Sequence, residues 1–148
     1  MSSSLTLSKS LAIGVALIFS FAVSAPLLGQ NRLSDKDVEQ LMNNTYQDAK
    51  KFQSLFNQSV SKSTIRKTSQ EKDAKKLVDT FQKGTKDLKE HFKDTKKSDP
   101  YLQNTLDNAR QIEKIMHDVQ LGPETTTQWA KVRKELDDLA DAFNLSTH

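Results

Sequence analysis

Three histidines, three methionines and one tryptophan are the side chains here with most to offer a metal or a cofactor. Asp87 and His91 lie four residues apart, as do Glu113 and His117. On a helix that spacing puts a carboxylate and an imidazole on one face, where together they could hold a metal weakly. Neither pair is the Glu-x-x-His pattern of a di-iron bundle, and no second copy completes a site. Metal ligation is therefore not expected, and both pairs read as surface helix pairs.

Haem is the sharper possibility. Some exported bundles hold it between a Met on the first helix and a His on the last. Met42 lies on the first apolar stripe, but the last helix contains no His; His148 lies beyond its end. No Cys is present, which removes disulfides, thiol nucleophiles, thiolate zinc sites and a lipidated N-terminal Cys. Met42 and Met116 read as core filling. Trp129 opens the last helix at a stripe position and reads as a core or end-capping residue, with ligand stacking as the alternative. If the chain is a carrier for haem, metal or an apolar ligand, Met42, His117 and Trp129 are the residues that would serve it. No Gly-x-Ser-x-Gly elbow or Gly-rich phosphate loop occurs. No carboxylate stands in an apolar setting that would raise its pKa. No catalytic residue is assigned, and the chain is not expected to be an enzyme.

The elements that must position these residues are four amphipathic stretches. From Asp35 to about Val60, Val38, Leu41, Met42, Thr45, Ala49, Phe52, Leu55 and Phe56 recur every three or four residues, the period of one helix face. A 26-residue helix would be about 39 Å long and cannot bury such a stripe alone. Ser34 is its expected cap, and Ile65 is expected to tuck against the bundle end. Thr68-Ser-Gln-Glu71 is a capping-box sequence for a second helix running to about Lys97. Its stripe is Ala74, Leu77, Val78, Phe81, Leu88 and Phe92, with Gly84 inside it; close packing or a kink would explain that glycine. Asp99 as cap and Pro100 at the first position start a third helix, which Gly122-Pro123 is expected to end. A fourth runs from Gln128 to Asn144, capped from Thr125 to Thr127, with Leu145 to His148 fraying. Short connections make neighbours antiparallel. The expected fold is all-α: an up-down-up-down four-helix bundle over residues 34–144. Long stripes also suit a homodimer in which two copies complete each other's cores.

Ahead of the bundle, Lys9 is followed by a largely apolar run from Leu11 to Val23 and then by Ala22, Ser24 and Ala25. This is the order of regions in a secretory signal peptide, expected over residues 1–29. Cleavage after Ala25 would place Pro26 beside the scissile bond; cuts after Ser24 or Gly29 are the alternatives. An uncleaved inner-membrane anchor over Leu11 to Leu28 is the rival reading, weakened by Ser20, Ser24 and Pro26. Either way the rest of the chain is expected outside the cytoplasm, periplasmic or secreted.

In 148 residues, 35% are hydrophobic and 28% charged, which fits long helices with wide wet faces around a thin core. Charge is uneven. Lys62 to Lys97 holds 12 basic and 6 acidic residues, net +6, whereas Ser98 to His148 is net −4. The basic segment could bind an envelope protein or an anionic envelope surface, or could be a solvated face balancing the acidic half. Phe81 and Phe92 belong to the buried stripe and offer no stacking platform, so nucleic acid is not an expected partner.

Arg32-Leu-Ser-Asp-Lys-Asp-Val38, Ser63-Thr-Ile-Arg66 and the stretch from Trp129 through Phe143 resemble a family of small, exported, functionally uncharacterised bacterial α-helical proteins. The resemblance covers most of the chain after the leader and implies export and an all-helical fold. It brings no activity, cofactor or site residues. The expectation is a non-enzymatic envelope binding module, with the carrier as alternative.

Overall fold

A computed structural model describes residues 33–145 of the chain. The expected signal peptide with its cleavage sites, the anchor alternative and His148 lie outside the described residues. Four helices follow one another: α1 (Asp35–Val60), α2 (Ser69–Thr95), α3 (Asp99–Asp118) and α4 (Pro123–Ala142). The fold is an all-α four-helix bundle, and among the described residues no helix is long and apolar enough to cross a membrane.

Local signals set the ends. Ser34 and Asp37 form a reciprocal capping box on α1, each side chain bonding the other's backbone N–H. Thr68 caps α2 through the Glu71 N–H, but the box is not reciprocal. The Glu71 carboxylate reaches one residue further back, to the N–H of Lys67. Lys96 ends α2 in the left-handed region at φ 55°, its N–H bonding the Phe92 carbonyl.

Three expected boundaries move. Ser98, not Asp99, is the N-cap of α3, so Pro100 falls at the second helical position. α3 ends at Asp118, four residues before Gly122. Gly122-Pro123 therefore opens α4 instead of closing α3: Gly122 is extended at the N-cap and Pro123 is the first helical residue. Proline supports this position because its missing N–H would lack a helical partner anyway. Thr125 then lies inside the first turn, buried, its hydroxyl against Ser59 Oγ at 2.7 Å. At Leu145 the chain folds back onto the end of α4. Asn144 is left-handed at φ 54°, the Leu145 N–H bonds the Ala140 carbonyl at 2.8 Å, and the side chain packs on the core, as in a Schellman closure.

The stripes meet in one core. Phe52, Phe56, Phe81, Leu88, Leu106, Ile112, Val132 and Leu136 are almost wholly buried. α1 packs along both α2 and α4, and α2 packs along α3, while α3 and α4 meet only sparsely. Gly84 marks close packing within an uninterrupted helix. A β-carbon there would stand 3.1 Å from Thr105 Oγ1 of α3. Leu33, Val38, Phe92 and Phe143 line one cleft, so the start of α1 adjoins the end of α4, as antiparallel neighbours require.

Candidate functional site

The structure does not bring Met42, His117 and Trp129 together. Met42 is core, 1% exposed, ten residues before Phe52 on α1 and so about 15 Å from it along the axis. Trp129 packs its ring on Phe52 at 4.6 Å and on Phe81 at 5.4 Å, occupying the centre itself. Its Nε1 is buried without a hydrogen-bond partner among the described residues. His117 projects from the end of α3, its side chain 90% exposed, beside Asp118 at 3.3 Å.

The paired spacings find other partners. Glu113 binds Arg133 of α4 at 2.7 Å, not His117. His91 lies under the Tyr101 ring, centroids 4.3 Å apart. Among the described residues no three His, Cys, Asp or Glu side chains gather where they could hold a metal.

The basic segment resolves into three parts. α2 itself carries seven basic and six acidic residues, and its Lys75, Lys83 and Lys86 pair with acids one turn away. Its helical face is close to neutral. The surplus sits at the two ends: Lys62, Arg66 and Lys67 in the α1–α2 connection, and Lys96 and Lys97 at the other end of the bundle. Lys96 is drawn to Glu39 of α1 at 3.2 Å. Lys62, Arg66 and Lys67 are exposed, have no acid between residues 62 and 68, and form no ion pair among the described residues.

That connection is a chain of bonded turns, not a slack loop. Ser63, Arg66 and Thr68 each donate a backbone N–H to the carbonyl three residues earlier. The Ser63 and Thr68 hydroxyls bond the Val60 and Ile65 carbonyls. Glu71 ties the turns to α2: it accepts from the Lys67 N–H, the Ser61 hydroxyl and the Lys75 ammonium. Lys75 first, then the Lys67 N–H and Ser61, pull its carboxyl down to about 2. Glu71 is thereby spent on the turns and forms no ion pair with the three cations. Between them Ile65 turns inward. With Ala74, Ile115 and Val119 it lines a cleft of about 380 Å³, rimmed by Asp73 and Asp118. A fixed backbone presenting three cations beside an apolar cleft can hold an anionic surface without first ordering itself.

A second polar cluster went unread in the sequence. Asp48 of α1 faces Gln128, Lys131 and Glu135 of α4. Lys131 Nζ stands 2.7 Å from one carboxylate oxygen, and Gln128 Nε2 donates to the other at 3.0 Å and to the Asp48 carbonyl at 3.1 Å. Burial pushes the Asp48 carboxyl up, but the bonds from Lys131, Gln128 and Glu135 hold it below the usual range. Glu135 moves the other way. Burial, then the Asp48 carboxylate it bonds and faces, push it up to about 7. Its Oε2 is buried and accepts no hydrogen bond among the described residues. Both acids sit at the edge of their stripes, where sequence alone gives no sign that α1 and α4 press them together.

No protein-family model matches the chain, and no curated protein or solved structure matches it. Function therefore rests on the geometry of these residues.

Proposed function

We propose that this is an exported, non-enzymatic binding module that docks on an anionic envelope surface through the α1–α2 end of the bundle. The observation that carries it is the cluster of Lys62, Arg66 and Lys67 on hydrogen-bonded turns, where the nearest acid in sequence, Glu71, is already engaged. Export is supported by the apolar run from Leu11 to Val23 after Lys9. The phosphate chemistry of lipid headgroups and of acidic wall polymers would meet the cluster equally.

Co-sedimentation of the chain from residue 31 onward with vesicles tests this. Phosphatidylglycerol-containing vesicles should bind it and phosphatidylcholine vesicles should not. Binding should fall at least about tenfold when salt rises from about 0.05 M to about 0.5 M. Each basic side chain near such a surface contributes about 1 kcal/mol, so K62Q/R66Q/K67Q together should weaken binding roughly a hundredfold. Binding to isolated wall polymer but not to vesicles would assign the polymer. Salt-insensitive binding, or equal binding by the triple variant, would end the proposal.

A further inference from the structure

A groove of about 550 Å³ runs between α2 and α3 on the flank of the bundle, away from the α1–α2 connection. Its volume lies within the roughly 300–1,000 Å³ usual for small-ligand sites. We propose that this groove binds a neutral oligosaccharide.

The chemistry of its walls selects that class. Asn104 and Asn108, one turn apart on α3, both line it, and neither carboxamide has a hydrogen-bond partner among the described residues. Each offers two N–H donors and one acceptor, the mixture that sugar hydroxyls, donors and acceptors at once, can satisfy. Tyr101 lines the same groove. It is 39% exposed, one of two large hydrophobic side chains so open among the described residues, and the His91 ring stacked beside it restricts its orientation. An aromatic ring with a polar tip suits the C–H face of a sugar. Gly84 lies on the α2 wall, where any side chain would narrow the groove as well as crowd Thr105.

The charges exclude the rivals. Lys83 is held by Asp79 at 2.8 Å, and Asp107 by Arg110 at 2.6 Å. Asp87 forms no ion pair among the described residues, and its carboxylate repels an anion. A metal would need more carboxylate or imidazole than gathers here. An apolar ligand would strand the two carboxamides. The site is separate from the basic connection, so the two proposals stand or fall independently.

The side-chain amide resonances of Asn104 and Asn108 give a direct readout in a ¹H–¹⁵N titration. The probes are chitotetraose, cellotetraose and maltotetraose, each added to the folded chain. At least one should shift both amide pairs, with half-saturation below about 1 mM. Tyr101→Ala should weaken that by at least about tenfold, Tyr101→Phe should retain it, and K62Q/R66Q/K67Q should leave it unchanged. Tyr101 is exposed enough that its removal leaves the core intact; Asn104 is exposed as well, and Asn104→Ala must give the same loss. Unmoved amide resonances with all three sugars, or shifts that persist in either Tyr101→Ala or Asn104→Ala, would overturn the proposal.

Discussion

Glu135 makes the stability of the fold depend on pH in a window that surface acids do not reach. Its carboxyl titrates near 7 in the folded chain, against 4.5 as its ordinary value. The folded state therefore binds a proton that the unfolded state has already lost. The stability involved is fully present below about pH 4.5 and is lost as pH rises through about 7. The shift corresponds at face value to about 3 kcal/mol, but the group is only half-buried, and solvent screening brings this nearer 1 kcal/mol. Asp48 and Glu71 are shifted down, so their contributions are lost only in acid, below about pH 4.5, and do not overlap this window. Glu135→Gln should match the parent near pH 5 and exceed it by about 1 kcal/mol near pH 8, measured by urea unfolding at each pH. A parent whose midpoint is the same at both pH values would show that burial and Asp48 do not raise the Glu135 carboxyl in the folded chain. The sequence could not foretell this pair. Asp48 beside Ala49, and Glu135 beside Leu136, look like any acids flanking a stripe, and only the α1–α4 contact makes them neighbours.

At the level of elements, what the sequence made legible was period and composition. The α1 bounds, the four stripes and their burial follow from apolar spacing, because a stripe must be covered whichever neighbour covers it. Boundaries built on punctuation were less legible. Gly122-Pro123 has the composition of a helix stop and of a helix start; the early end of α3 at Asp118 leaves it free to be the start. Gly84 was ambiguous for a related reason, since a mid-helix glycine costs the same whether it kinks or packs. Its role as a contact can be measured. Thr105 Oγ1 is fixed by donating to the Tyr101 carbonyl at 2.8 Å, so it cannot simply turn away from a new methyl group. Gly84→Ala should gain its helix propensity, up to ~1 kcal/mol, only when that oxygen is gone. In a cycle with Thr105→Ala, the gain from Gly84→Ala should be larger in the Thr105→Ala background than in the parent, by about 0.5–1 kcal/mol. Additive effects would mean that the two helices separate freely at this point.

Across the whole molecule the helices form a chain of associations: α3 on α2, α2 on α1, α1 on α4, with α3 and α4 barely in touch. Arg133 reaches across that last seam to Glu113 at 2.7 Å, but a partly exposed ion pair adds only about 0–1 kcal/mol. The order matters for how the fold opens. Releasing α4 breaks its face on α1 and the contact of Trp129 with Phe81 of α2, and releasing α3 breaks chiefly its face on α2. Releasing α1 breaks two faces and unseats Phe52 and Phe56, both fully buried. Amide hydrogen exchange in low urea should therefore find the slowest sites in the middle of α1 and α2. α3 and α4 should exchange through separate partial openings, about 1–3 kcal/mol easier than global unfolding. Arg133→Gln should make α4 easier still while leaving the middle of α1 unchanged. One common exchange free energy for all four helices would mean that the seam between α3 and α4 is as strong as the others. The sequence could not rank these seams, because each of the four stripes is as apolar as a fully enclosed bundle would need. Only the packing reveals that α3 and α4 are the neighbours that meet most sparsely, with Arg133 and Glu113 paired across the seam.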